Sequence, residues 1–137
     1  MKIFVDTNVL IDVLEDREPY YTCSAQVWFL AEAKKVEAFI SVISFNNVHY
    51  LVRRHVNVER ARRAMEILHA TFTMVPLDES VMVKAITARI TDFEDAIQFF
   101  SALSAGVDCI VTRNVQHFPV DTLPVMTPED FVARWAT

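Results

Sequence analysis

Short apolar runs of strand length alternate with stretches of helical periodicity along the whole chain, and that alternation leaves few folds open. Lys2-Ile3-Phe4-Val5 is followed at once by Val9, Leu10, Val13 and Leu14, spaced as on one face of a helix. The same reading predicts strands over residues 2–5, 37–41, 72–75, 108–112 and 124–126. Helices are predicted over 7–14, 21–35, 46–54, 58–70, 78–90 and 92–105, with a last one opening at Pro128. Strands interleaved with helices imply an α/β fold, a three-layer sandwich whose central, mainly parallel sheet is flanked by helices.

The punctuation agrees. Thr91-Asp92-Phe93-Glu94 has the form of a capping box, in which the Thr91 hydroxyl and the Glu94 carboxylate each satisfy a free backbone N–H at a helix start. Gly106, the only glycine, falls where a helix end calls for a left-handed residue. Pro128 suits a first helical position. A length of 137 residues fits one domain, taken as 1–137, and 53% hydrophobic residues supply an ample core.

Composition also closes off several functions. No apolar run reaches the roughly 18 to 20 residues that span a bilayer, and Asp6 interrupts the N-terminal run too early for a signal peptide, so a cytoplasmic protein with no membrane association is expected. Cys23 and Cys109 lie far apart without a C-x-x-C pair, which argues against a zinc site or a disulfide and for buried free thiols. A net charge of −5 argues against nonspecific coating of nucleic acid. One region departs from that balance: Arg53, Arg54, Arg60, Arg62 and Arg63 face only Glu59, which makes either a contact for RNA or an acidic partner, or a solvated helix face. His49, His55, His69 and His117 have no metal-ligand spacing and read as surface or packing residues, and Trp28 and the phenylalanines read as core.

Ligands of open parallel sheets gather beyond the carboxyl ends of the strands. Those positions are polar here: Asp6-Thr7-Asn8 after the first strand, Ser44, Asn46 and Asn47 after the second, and Thr112-Arg113-Asn114 at the end of the fourth. Taken singly, each is also explained as a helix cap or a turn. Asp95 is harder to explain away. On a helical projection, Glu94, Gln98 and Ser101 form one stripe and Phe93, Ala96, Ile97 and Phe100 the opposite one. Asp95 projects between them, among apolar neighbours and with no cation in its helix. A carboxylate so placed needs a counter-charge. Mg²⁺ or Mn²⁺ would serve, since hard cations accept oxygen donors and Mg²⁺ often takes only one or two protein carboxylates. Such an ion can polarise a phosphodiester and acidify a water.

In order, Val5-Asp6-Thr7-Asn8-Val9-Leu10-Ile11-Asp12, Asp92-Phe93-Glu94-Asp95-Ala96, Ile110-Val111-Thr112-Arg113-Asn114 and Leu123-Pro124-Val125-Met126-Thr127-Pro128-Glu129-Asp130-Phe131 resemble the PIN-domain family. The likeness is to its small stand-alone members, the ribonuclease toxins of VapBC-type toxin–antitoxin pairs. It implies a divalent-metal-dependent endoribonuclease with a cluster of acids, a homodimer, and a small antitoxin as partner. Asp6 matches the family's first acid and Asp95 its third, whereas Asn47 and Asn114 stand at the second and fourth positions, usually acidic. Asp92 is a candidate compensating ligand, Asn8 and Thr112 are expected to support the site, and Arg53, Arg54 and Arg113 are candidate RNA contacts. The two asparagines also leave room for a degenerate member that binds RNA or a protein without cutting. Other enzyme classes fit less well. An aspartyl-phosphate phosphatase would need a second acid two residues after Asp6, and a dinucleotide-binding oxidoreductase needs glycines that are absent.

Overall fold

The computed structural model describes residues 1–119 and 121–136. Its described strands are β1 (Lys2–Val5), β2 (Glu37–Ser41), β3 (Thr73–Val75), β4 (Cys109–Val111) and β5 (Val125–Met126), and every pairing between them is parallel. They lie in the order β3-β2-β1-β4-β5. The chain thus builds outward from β1 in one direction and then returns to extend the sheet on β1's other side. That reversal creates a topological switch point between β1 and β4, the crevice where open α/β sheets hold ligands.

Strand alternation sorts the core into two faces. Ile3 and Val5 of β1 and Cys109 and Val111 of β4 point into one cluster, which they share with α1 (Thr7–Leu14), α2 (Tyr21–Glu32), α3 (Val42–His55), α4 (Val58–Thr71) and α7 (Pro128–Ala136). Phe4 and Ile110, one residue out of step, point into the other. There they meet Phe99 and Ala102 of α6 (Phe93–Ala105), against which α5 (Glu79–Thr87) packs. Helices on both sides of one sheet make the expected three layers. No described helix is long and apolar enough to cross a membrane.

Element boundaries differ where caps compete with periodicity. α3 starts at Val42, four residues before the predicted Asn46, because the Ser41 hydroxyl accepts from the Ile43 N–H at 3.2 Å and caps the helix directly on the strand. α2 stops at Glu32, since Lys34 takes a left-handed backbone with φ 57°. Gly106 caps α6 with φ 66°, as predicted.

The capping box is a correction. Asp92, not Thr91, is the N-cap of α6, and its Oδ1 accepts from the Asp95 N–H at 3.0 Å. The shift by one residue puts Glu94 at the second helical position, from which it has no cap amide to serve, and frees its carboxylate for the site. Cys109 is a buried free thiol, as expected, whereas Cys23 is only partly buried.

Candidate active site

A cleft opens at the carboxyl ends of β1 and β4, and Asp6 lies at its floor. Asp6 is the N-cap of α1, 4% exposed, and both of its carboxylate oxygens are engaged. The Thr7 N–H donates to Oδ1 at 2.7 Å and the Thr112 hydroxyl donates to Oδ2 at 2.7 Å. That hydroxyl in turn accepts from the Asn114 N–H at 3.1 Å and from Asn8 Nδ2 at 3.4 Å. Asn8 Oδ1 accepts from the Arg113 N–H at 3.3 Å. Asn8 and Thr112 therefore lace the end of β1 to the end of β4 and fix the plane of the Asp6 carboxylate.

The cleft brings together Asp6, Asn47, Asp92, Glu94, Asp95, Asn114 and His117. Glu94 is the residue that sequence reasoning missed. Its carboxylate accepts from Asn47 Nδ2 at 2.6 Å, joining α6 to α3 across the cleft. Burial is the first cause pushing the Glu94 carboxyl up, reinforced by Asp92 and Asp95 and opposed by the Asn47 hydrogen bond. Burial likewise pushes Asp95 up, with Asp92 adding to it and His117 opposing. For Asp6 burial dominates and takes the carboxyl to about 7. The Thr112 and Thr7 hydrogen bonds pull it down, and Asp95 and Glu94 push it higher.

Other sequence readings change at this site. His117, expected as a surface or packing residue, is exposed, and on a 3-10 turn (Val115–His117) it also sets Nδ1 3.2 Å from an Asp95 oxygen. His49 also lines the cleft, while His55 pairs with Glu15 at 3.0 Å. Arg113, a candidate RNA contact, is engaged within the protein. It grips the fully buried Asp12 with two bonds, at 2.6 and 3.2 Å, and stacks 4.1 Å over the Tyr20 ring. Arg53 lines the cleft, but Arg54 turns to donate to the Tyr50 hydroxyl at 2.8 Å. Asp92, expected as a ligand, spends one oxygen on the cap.

Beneath the acids, Gln98 Nε2 donates to Thr7 Oγ1 at 2.9 Å and to Ser44 Oγ at 3.1 Å, and these two hydroxyls share a 2.8 Å bond. The junction ties α1, α3 and α6 together one layer below the cleft. The stripe of Glu94, Gln98 and Ser101 was visible in the helical projection, and it faces inward.

The donor set suits a hard divalent cation. Among the described residues, no group of three or more His, Cys, Asp or Glu is set to hold one ion by itself. Mg²⁺ needs no such cage, because waters and substrate oxygens complete its octahedron around one or two carboxylates. Asp6 and Glu94 also lie among acids that raise their pKa, a repulsion that an added cation relieves.

A parallel sheet of order 3-2-1-4-5 with acidic side chains gathered at its switch point defines an open α/β protein whose candidate site lies in that crevice. A family model for the PIN domain matches residues 2–116, and the chain belongs to that family. It is similar to Ribonuclease VapC1 of Aquifex aeolicus (strain VF5), 25% identical over 141 residues covering 99% of this chain and 96% of the relative. In fold it resembles the DNA-bound VapBC of Salmonella typhimurium, with a TM-score of 0.72, 18% identity and coverage of 93% of this chain and 98% of the other. A toxin–antitoxin complex from Klebsiella pneumoniae gives a TM-score of 0.69 at 24% identity, covering 92% and 97%.

Proposed function

We propose that this chain, acting as a single PIN domain, is a divalent-metal-dependent endoribonuclease that hydrolyses RNA phosphodiester bonds and serves as the toxin of a toxin–antitoxin pair. The observation that carries this reading is the meeting of Asp6, Glu94 and Asp95 in one cleft, with Asp6 pushed up to about 7. Family membership and the likeness to Ribonuclease VapC1 support RNA as the substrate. Asp6 and Asp95 would hold the ion, Mg²⁺ or Mn²⁺, and Glu94 would take the place of the second family acid, where this chain has Asn47. Asn114 offers a neutral oxygen, and Asp92 acts as a cap first and a ligand second. A cation bound there would supply charge neutralisation for the phosphoryl oxygens and a more acidic water near neutral pH. Thr112 and the Thr7 N–H keep the Asp6 carboxylate aimed into the cleft. Asn47 does the same for Glu94, and the Gln98 junction keeps the three helices in register.

A nuclease assay on single-stranded RNA with Mg²⁺, Mn²⁺ or EDTA tests the reading. Cleavage is expected with the metals and not with EDTA, and Asp6→Asn, Asp95→Asn and Glu94→Gln each reduce it at least about tenfold. Full cleavage in EDTA refutes metal dependence. The second reading, a PIN domain that binds without cutting, is favoured by Asn47 and Asn114, and absence of cleavage with every metal alongside measurable RNA binding would establish it.

The partner reading is a small antitoxin encoded alongside, together with self-association as a homodimer. The kinship to the Klebsiella pneumoniae complex supports the antitoxin. Exposed Phe29 and Trp135, on α2 and α7, supply apolar surface for association. Light scattering that gives a monomer mass at high concentration removes the homodimer.

A further inference from the structure

The cleft continues beyond the acids, and its character changes. Its far wall is a face of α3 on which Asn46, Tyr50 and Arg53 follow one another at spacings of four and three, the geometry of one helical stripe. Tyr50 is 47% exposed, and the Arg54 bond to its hydroxyl holds the ring in place on the helix. A large exposed aromatic fixed in a polar cleft is a stacking platform already paid for in conformational entropy. Among the described residues Arg53 has no carboxylate partner, whereas Arg17, on the same cleft, is shared with Glu15 at 3.1 Å. Asn47, which touches Glu94, and Arg53 are six residues apart on α3, a rise of about 9 Å. A phosphate at the acids and another at Arg53 would thus be separated by a step of one or two nucleotides.

We propose that Tyr50 and Arg53 form a nucleotide subsite for single-stranded RNA, in which a base beside the scissile phosphate stacks on the Tyr50 ring and the next phosphate pairs with Arg53. The subsite rests on the ribonuclease reading and specifies its substrate. A base can reach the ring only when it is not already stacked in a duplex, so the subsite selects loops and single strands. Stacking of this kind accepts any base, so it sets the strandedness of the target and leaves sequence choice to other contacts.

Fluorescence anisotropy with labelled single-stranded oligouridine, and with the same strand annealed to oligoadenosine, tests this. Measurements are made in an Asp6→Asn background with Mg²⁺ present, so that binding is read while cleavage is suppressed. Tyr50→Ala weakens binding of the single strand about fivefold or more and leaves duplex binding unchanged, while Tyr50→Phe, which keeps the ring but loses the hydroxyl that Arg54 holds, weakens it clearly less than Tyr50→Ala does. Arg53→Gln lowers the slope of log affinity against log salt by about 0.7, the value for one phosphate contact on a single strand. Both side chains are exposed, and thermal melts confirm that the variants fold. Single-strand binding at the parent level by Tyr50→Ala, or an unchanged salt slope in Arg53→Gln, overturns the subsite. If the same substitutions in the wild-type background still support metal-dependent cleavage, the ribonuclease reading stands without it. A wild-type chain that neither binds nor cuts RNA removes both.

Discussion

At the residue scale, the metal-binding role proposed for Asp6 requires it to ionise, yet it sits where ionisation is costly. Its folded carboxyl titrates near about 7 against an ordinary 3.8. Between those values the folded chain keeps a proton that the unfolded chain has released, so this group's contribution to stability is full below about pH 4 and is lost as pH rises through 7. In EDTA, Asp6→Asn is therefore expected to flatten the pH dependence of the melting temperature. At pH 8 it should leave the variant more stable than wild type, by up to a few kcal/mol. Identical melting profiles for the two proteins between pH 4 and 8 would contradict the buried-acid account. The neutral positions behave differently from each other. Asn114, a cleft residue for which no side-chain hydrogen bond caps the following turn, accepts a charge readily, and Asn114→Asp should tighten Mg²⁺ binding about tenfold in a calorimetric titration. Asn47→Glu replaces a 2.6 Å hydrogen bond to Glu94 with two facing carboxylates. It should lower stability in EDTA and regain it when Mg²⁺ is added.

At the scale of the element, the N-terminus of α6 decides which acids reach the cleft. With Asp92 as the cap, Glu94 and Asp95 occupy the second and third helical positions, and Asp92→Ala should cost about 1 kcal/mol of stability by removing the bond to the Asp95 N–H. Asp92→Ser keeps a capping oxygen and discards the charge. It should retain stability and change divalent affinity by less than about threefold. A loss as large as that of Asp6→Asn would instead make Asp92 a principal ligand. The same helix explains what the sequence could and could not reveal. Strand and helix alternation, Gly106 at the C-cap and Pro128 at a helix start were legible because each follows from local periodicity or backbone preference. Asp6 was legible because the end of a strand is a definable place. Glu94 was hidden by a tie, since Thr91 and Asp92 are both good caps and only tertiary packing chose between them. The pairing of His117 with Asp95 depends on a 3-10 turn after β4 whose path no periodicity announces. The pairing of Arg113 was hidden for a related reason: its partner, Asp12, lies 101 residues away.

At the scale of the molecule, core and cleft pull in opposite directions. Ile110 lies on β4, fully buried and next to the site strand β1, and Ile110→Ala should cost about 2 to 5 kcal/mol, read as a fall in the denaturation midpoint. That is the reverse of the gain expected for Asp6→Asn. The strand order has a consequence in time. Among the described strands β1 is made before the others, but its neighbour at the switch point, β4, lies more than a hundred residues later, and the Thr112 hydroxyl that aims Asp6 comes after that. At roughly 5 to 20 residues per second, the first acid waits on the order of 5 to 20 seconds for the residue that orients it. A chain whose translation stops before β4 carries Asp6 without the strand that completes its surroundings. Any form of the chain that stops short of Thr112 therefore holds Asp6 without the hydroxyl that fixes its carboxylate.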